Sequence, residues 1–208
     1  MRPVIGVDFD NTIVRYDELF HRLACERGLI PAGVPATKEQ VRDYLREQRR
    51  EDDWTVLQGY VYGARMDEAA PFPGVLGFFS EAARRGIDLV IISHKTRRPY
   101  AGEGYDLHQA ARHWLEINGF FDPARIGLPP SRVFFEETRA EKLGRIAKEQ
   151  CTHFIDDLPE LLREAAFPPE TRRILFRPQG PAAAGAEDFS AVLSHWEEIA
   201  QYVWGLAP

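Results

Sequence analysis

Five short apolar runs, separated by stretches of helical periodicity, constrain the fold of this chain more than any other feature of its sequence. Each run is rich in valine, isoleucine and phenylalanine, and shows little alternation with polar residues. Strands that are covered on both faces of a sheet have this composition. We therefore predict buried strands at 3–9, 87–93, 132–137, 152–157 and 172–177.

Amphipathic segments lie between most of these runs and predict helices. Strands that alternate with helices favour an α/β fold, with a mostly parallel sheet and helices on both of its faces. A connection rich in glycine, alanine and proline follows the last strand at 180–189, and a final helix is expected at about 190–204. The other helices of this α/β region are predicted at 74–86, 105–119, 138–150 and 157–167.

Residues 16–72 interrupt the alternation, because they contain no convincing buried strand. The segment is too long for a connection between a strand and a helix, so we predict a separate helical module. The remainder, 1–15 and 73–208, is then the α/β core. Within the module, helices are predicted at 16–28, 37–51 and 52–69.

Composition excludes several functional classes. The 208 residues carry a net charge of −6 without a block of like charges, which argues against nucleic-acid binding. We find neither an apolar run of membrane-spanning length nor the features of a signal peptide, and expect no membrane association. Cys25 and Cys151 fit no metal-binding spacing, and we interpret them as reduced thiols of a cytoplasmic protein.

Polar side chains occur at the carboxyl ends of the first, second and fourth predicted strands. A lysine lies near the start of the helix that precedes the fourth strand. In a parallel α/β sheet, ligands bind at the carboxyl ends of the strands. Residues far apart in the chain therefore converge on one edge of the sheet. The set comprises Asp8 and Asp10, Ser93 and His94, Lys142, and Asp156 and Asp157.

Four carboxylates in one small site require a counter-ion, and Mg²⁺ with oxygen ligands would supply it. A carboxylate such as Asp8 can also attack phosphorus, while Asp10 protonates the leaving oxygen. Ser93 and Lys142 would hold the transferring phosphoryl group. Lys95 and Lys148 are alternatives to Lys142 as the phosphate-binding lysine.

The run "DFDNT" at 8–12, Ser93, Lys142 and the run "IDD" at 155–157 together resemble the four motifs of the haloacid dehalogenase superfamily. The resemblance implies a Rossmann-like core, with residues 16–72 as a helical cap inserted after the first motif. It also implies that Asp8 is the nucleophile and Asp10 the general acid and base.

The same resemblance implies the ligands of the metal and of the phosphate. Mg²⁺ would be bound by Asp8, the backbone carbonyl of Asp10, Asp156 and Asp157. Thr12 would shape the turn after the first motif. The residues that we predict to bind phosphate are Thr12, Ser93, His94 and Lys142.

An acid at position 10 favours hydrolysis of phosphate esters, because superfamily members that cleave carbon–halogen or carbon–phosphorus bonds lack it. We therefore predict a Mg²⁺-dependent phosphatase that acts on a small phosphorylated metabolite. Phosphotransfer to another acceptor, as in a phosphomutase, and a non-catalytic binding role are the alternatives. Candidate specificity residues are Arg46, Arg49 and Arg65 in the cap and Lys95, whose basic patch would contact a second anionic group of the substrate.

Overall fold

The computed structural model describes residues 3–178 and 185–205, which contain eight strands and eight α-helices. The strands β1 to β8 are Val4–Val7, Val14–Arg15, Ala70–Pro71, Asp88–His94, Val133–Glu136, His153–Asp156, Arg172–Phe176 and Ala191–Leu193. The α-helices α1 to α8 are Asp17–Glu26, Lys38–Glu47, Glu51–Tyr62, Val75–Arg84, Leu107–Ile117, Arg139–Lys148, Pro159–Leu162 and Trp196–Trp204. Short 3₁₀ helices occur at Met66–Glu68, Pro130–Arg132 and Ala186–Asp188.

Six strands form one parallel sheet, in the order β5-β4-β1-β6-β7-β8, and β2 and β3 form a second, two-stranded sheet. The predicted parallel α/β sheet is confirmed, and its five predicted strands are all present. From β1 the chain moves to β4 and β5 on one side, then crosses to β6 on the other. This reversal of strand order lies beside β1, where α/β sheets bind ligands.

Helices cover both faces of the six-stranded sheet. On one face, Ile92, Phe154 and Leu175 of three strands belong to a buried apolar cluster. Ile146 of α6 and Leu162 of α7 belong to the same cluster. The helices α6 and α7 therefore pack on this face.

The opposite face is covered by α4 and α8. Phe176 follows Leu175 in β7, and because side chains alternate along a strand it points to the other face. Its ring centre lies 5.6 Å from that of Trp196 in α8, which in turn lies 5.0 Å from that of Phe78 in α4. The core thus consists of two apolar layers with the sheet between them.

Gly6 leaves room for the ring of Phe154, which packs against β1 from the neighbouring strand β6. A Cβ atom at this position would lie 2.5 Å from Cδ2 of Phe154 on the neighbouring strand. No side chain fits at such a distance without displacing the ring. The sequence feature that permits this packing is the single glycine within the apolar run of β1.

The described residues divide into two compact units. The first contains the six-stranded sheet, and the second contains the helices α1, α2, α3 and α5. The second unit contains nearly all of the predicted cap, 16–72. It also contains 95–118, a segment that the sequence analysis assigns to the core. The first unit comprises 3–13, 71–94, 119–178 and 185–205, and the second comprises 14–70 and 95–118.

The apolar face of α5 explains this grouping. Leu107, Ala111 and Trp114 of α5 are buried, and the indole N–H of Trp114 donates a hydrogen bond of 2.8 Å to the carbonyl of Ala69. A buried indole needs such an acceptor. The contact therefore ties α5 to the end of the inserted helical segment.

Two further predictions are corrected by the structure. The helix predicted at 157–167 ends at Leu162, because the chain then turns to bury Phe167 in the apolar cluster, closed by a 2.9 Å hydrogen bond from its N–H to the carbonyl of Glu164. The helix predicted at 190–204 begins only at Trp196 and is preceded by β8. Half of the predicted glycine-, alanine- and proline-rich connection, residues 180–184, lies outside the described residues.

Two smaller expectations concern the thiols and the membrane. Cys25 and Cys151 are free thiols in the structure, in agreement with the prediction. Among the described residues, none of the helices combines the length and apolarity needed to cross a membrane.

Candidate active site

Asp8 lies directly after the central strand β1 and is buried, with 4% of its surface exposed. Its N–H donates to the carbonyl of Ile155 at 2.9 Å, which extends the pairing of β1 with β6 by one residue. The chain then turns sharply, with Asn11 in the left-handed region at φ 58°. Asparagine tolerates this conformation better than most residues, which suits it to this turn.

Lys142 reaches Asp8 from the first turn of α6. Thr138 is the N-cap of this helix and forms a reciprocal capping box with Glu141. The ammonium of Lys142 donates to Oδ1 of Asp8 and to Oδ2 of Asp156, at 2.6 Å in each case. Since Lys142 is 1% exposed, both ion pairs lie in the interior of the first unit.

Ser93, at the end of β4, supplies a second donor to Asp8. Its hydroxyl donates to Oδ1 of Asp8 at 2.9 Å, and this is the oxygen that also accepts from Lys142. Neither of these contacts engages Oδ2 of Asp8. The two donors therefore fix the carboxylate through one oxygen and orient the other.

Asp156 and Asp157 follow β6 and bring two more carboxylates to the site. Asp156 is fully buried, and its Oδ1 accepts the N–H of Leu158 at 2.9 Å. The hydroxyl of Thr12 donates to Oδ1 of Asp157 at 3.4 Å. Carboxylate oxygens of Asp8, Asp156 and Asp157 lie within 4.8 Å of one another.

The site perturbs the pKa values of its own groups. Burial raises the pKa of Asp8 to about 7; the charge of Lys142 opposes this shift, and the charges of Asp156 and Asp10 add to it. Burial alone would lower the pKa of Lys142, but the carboxylates of Asp156 and Asp8 together outweigh burial and raise it. Lys142 therefore stays protonated, while Asp8 titrates near neutral pH.

The donor set fits a hard divalent cation. Three carboxylates within 4.8 Å offer the oxygen ligands that Mg²⁺ prefers, and their mutual repulsion favours a cation that is shared among them. Asp10 lies two residues beyond Asp8 and is half-buried. Its carboxylate is close enough to raise the pKa of Asp8.

His94 follows Ser93, and the sequence predicts that it binds phosphate. In the structure its Nε2 lies 3.1 Å from the carbonyl of Glu137, which immediately precedes the N-cap Thr138. A carbonyl only accepts, so this nitrogen is the donor. The ring thus links the end of β4 to the start of α6.

The four predicted specificity residues lie in the second unit. Arg46 forms a two-point ion pair with Glu51, at 2.7 and 2.9 Å, and Arg65 pairs with Glu68. Arg49 is exposed and adopts a left-handed backbone conformation at φ 57°. Lys95, in contrast, is buried.

Of the three candidate lysines, Lys142 is the one for which the structure gives hydrogen bonds to Asp8 and Asp156. The side chain of Lys95 contacts the ring of Tyr62, and Lys148 is exposed at the end of α6. The capping box before Lys142 was not predicted, although its signal is present, since the run "TRAE" at 138–141 has threonine and glutamate at the required spacing.

The sequence matches no protein-family model and no curated protein. Solved structures do share the architecture. A HAD family hydrolase from Deinococcus radiodurans R1 with bound phosphate and sodium is 13% identical, with a TM-score of 0.58 over 98% of this chain and 96% of that one. This chain has the haloacid dehalogenase fold.

Two further solved structures with the haloacid dehalogenase fold are similar over nearly the full length. YfnB from Bacillus subtilis, described as a HAD-hydrolase bound to magnesium, is 12% identical with a TM-score of 0.59, covering 99% of both chains. A predicted phosphoglycolate phosphatase from Haemophilus somnus 129PT is 14% identical with a TM-score of 0.57, covering 97% of this chain and 98% of that one.

Proposed function

We propose that this protein is a Mg²⁺-dependent phosphatase that hydrolyses a phosphate monoester of a small metabolite through an aspartyl-phosphate on Asp8. One observation carries the proposal. Ser93 and Lys142 both donate to Oδ1 of Asp8, and a carboxylate that is held through one oxygen presents the other as a nucleophile. Two solved structures with this fold are named as HAD hydrolases, and the proposed hydrolysis agrees with those names.

In the first step, Oδ2 of Asp8 attacks the phosphorus of the ester, and the bond from phosphorus to the leaving oxygen breaks. Asp10 gives its proton to that oxygen, so the alcohol leaves neutral and the phosphoryl group remains on Asp8. In the second step, Asp10 takes a proton from water, whose oxygen attacks phosphorus and releases inorganic phosphate. Both carboxyl groups then return to their starting states.

Lys142 and Ser93 orient and stabilise the reacting groups. The ammonium of Lys142 keeps Asp8 ionised for attack, since its charge opposes the effect of burial on the Asp8 carboxyl. It also provides positive charge where negative charge develops on the phosphoryl oxygens. The hydroxyl of Ser93 fixes the rotation of the Asp8 carboxylate and can donate to the same oxygens.

Mg²⁺ would be held by Asp8, Asp156, Asp157 and the backbone carbonyl of Asp10. When bound, it supplies positive charge that neutralises the phosphate and lowers the pKa of the Asp8 carboxyl. Thr12 would keep Asp157 oriented through its hydroxyl contact. The fully buried Asp156 is held on both oxygens, by Lys142 and by the N–H of Leu158.

We infer that the substrate is a small molecule of the cytoplasm and that the second unit selects it. Chemistry at Asp8 is common to all phosphate monoesters, so discrimination requires groups that contact the leaving alcohol. Arg46, Arg49, Arg65 and Lys95 stay predictions for that role.

The proposal is tested by phosphate release from p-nitrophenyl phosphate. We expect turnover that requires Mg²⁺, stops in excess chelator and falls at least ~100-fold in Asp8→Asn, because the amide cannot attack phosphorus. Asp67→Asn, which changes an exposed acid of the second unit, is the matched control and should retain wild-type activity. Undiminished turnover in chelator or in Asp8→Asn would contradict the proposal.

A further inference from the structure

The helix that carries Lys142 begins in an exposed stretch of chain. The N-cap Thr138 and the next three residues, 139–141, are exposed, and Lys142 is the first buried residue of α6. The residues with which α6 joins the apolar cluster, Leu143 and Ile146, come later in the helix. Apolar packing therefore does not hold the first turn of α6, and polar contacts must fix its position.

The capping box supplies the first of these polar contacts. Thr138 and Glu141 each bind the backbone N–H of the other, which stabilises the helix but does not attach it to the sheet. The backbone N–H of Lys142 donates to the carbonyl of Thr138 at 3.1 Å. The position of Lys142 therefore follows from that of Thr138.

His94 attaches the start of α6 to the sheet. The strands β4 and β5 are paired as far as His94 and Glu136. The half-buried His94 ring then donates from Nε2 to the carbonyl of Glu137 at 3.1 Å, one residue beyond the paired strands. Because Glu137 immediately precedes Thr138, this contact joins the end of β4 to the N-cap of α6.

The end of β4 thus bears on both donors to Asp8. The hydroxyl of Ser93, the residue before His94, donates to Oδ1 of Asp8 at 2.9 Å, and Lys142 donates to the same oxygen at 2.6 Å. β4 supplies the first donor directly and fixes the start of the helix that supplies the second. Catalysis is sensitive to such distances, since a displacement of about 1 Å can cost about 100-fold in rate.

We propose that His94 is a positioning residue, which holds the first turn of α6 and so keeps the ammonium of Lys142 on Oδ1 of Asp8. This role differs from the phosphate binding that the sequence predicts for His94, and experiments distinguish the two. The expected effect on turnover rests on the proposed phosphatase function. The position of Lys142 can be measured without turnover.

Three variants isolate the contact. His94→Phe keeps a planar ring and removes the donor. His94→Gln restores an N–H, because its amide nitrogen lies the same number of bonds from Cα as Nε2 of histidine. His113→Phe makes the ring change at an exposed histidine of α5 and is the matched control. If His94→Phe does not fold, His94→Asn, whose amide is one bond too short to reach, takes its place.

Acetylation of lysines tests the position of Lys142 in the metal-free protein. Lys142 is 1% exposed, so it should react with sulfosuccinimidyl acetate much more slowly than the exposed Lys148 of the same helix. Peptide mass spectrometry gives the ratio of the two rates. Loss of one hydrogen bond should raise the rate of Lys142 relative to Lys148 at least ~5-fold in His94→Phe. His94→Gln and His113→Phe should stay near the wild type.

Hydrolysis of p-nitrophenyl phosphate separates positioning from phosphate binding. Lys142 acts on the nucleophile and on charge that develops in the transition state, so its displacement should lower kcat more than it changes KM. In His94→Phe we expect kcat to fall at least ~10-fold, with KM and the inhibition constant of inorganic phosphate within ~2-fold of the wild type. His94→Gln should recover most of kcat, and His113→Phe should not differ from the wild type.

An unchanged labelling ratio in His94→Phe overturns the inference, and so does an unchanged kcat. A loss in His94→Gln as large as that in His94→Phe also overturns it, because the contact with Glu137 would then not be the cause. A large rise in KM and in the inhibition constant of phosphate would assign phosphate binding to His94 instead. Absence of wild-type turnover contradicts the proposed function, and the labelling ratio then still decides whether His94 positions Lys142.

Discussion

Replacing Asp8 with asparagine should stabilise the metal-free protein at neutral pH, although the same change should abolish turnover. The Asp8 carboxyl has a pKa raised to about 7, chiefly because burial removes it from water. Ionisation of the Asp8 carboxyl at neutral pH therefore opposes folding. The amide of asparagine is uncharged and avoids this cost. Asparagine keeps an oxygen that can accept from Ser93 and Lys142, so neither donor loses its acceptor.

The magnitude follows from the shift between the unfolded and folded values, from 3.8 to about 7. Each pKa unit corresponds to about 1.4 kcal/mol, so the destabilisation reaches at most about 4 kcal/mol. The folded state holds the proton more tightly, so wild-type stability falls as pH rises from about 4 to about 7. The excess of Asp8→Asn over the wild type in the free energy of unfolding should be largest at pH 7 and above, and should vanish near pH 4.

Urea unfolding in excess chelator measures this difference. At about pH 7.5 we expect Asp8→Asn to exceed the wild type by about 1–4 kcal/mol in the free energy of unfolding, and at about pH 4.5 by less than half of that. Asp67→Asn should stay within about 0.5 kcal/mol of the wild type at both pH values. A less stable Asp8→Asn at pH 7.5, or an advantage independent of pH, would refute the reasoning.

Two further pairs of variants test the buried charge of the site and the packing of the sheet beside it. Lys142→Met leaves Asp8 and Asp156 without their shared ammonium and should lose about 3–5 kcal/mol at neutral pH in urea unfolding, whereas Lys148→Met should stay within about 0.5 kcal/mol. Gly6→Ala places a Cβ 2.5 Å from the ring of Phe154 and should lose about 1–3 kcal/mol, whereas Gly77→Ala, in an open position of α4, should gain up to about 1 kcal/mol. Equal changes in the free energy of unfolding for Lys142→Met and Lys148→Met would contradict the buried ion pairs of Lys142. Equal changes for Gly6→Ala and Gly77→Ala would contradict the close packing of Phe154 on Gly6.

The sheet and the contacts around Asp8 could be predicted because their signals are local and their geometry follows from topology. Apolar runs without alternation mark strands covered on both faces, and the carboxyl ends of parallel strands meet at one edge. Asp8 follows β1, Ser93 is the last residue but one of β4, and Asp156 ends β6; Lys142 lies in the first turn of α6, the helix that leads to β6. Their convergence therefore requires no knowledge of tertiary packing.

Other features depend on tertiary packing and could not be predicted in this way. The apolar face of α5, with Trp114, identifies a buried helix but not the unit that buries it. The edge strand β8 has three half-buried residues, too few for a periodic pattern. The short α7 ends because Phe167 packs in the core, and this contact overrides the helical propensity of 163–166.

The central claim is that Asp8 carries the phosphoryl group during turnover. Rapid acid quenching of the protein during hydrolysis of a ³²P-labelled phosphate monoester with Mg²⁺, followed by peptide mapping, tests it most directly. We predict label on the peptide that contains Asp8, stable in acid and released by hydroxylamine, with none in Asp8→Asn. Label on another residue, or label that persists in Asp8→Asn, would contradict the account.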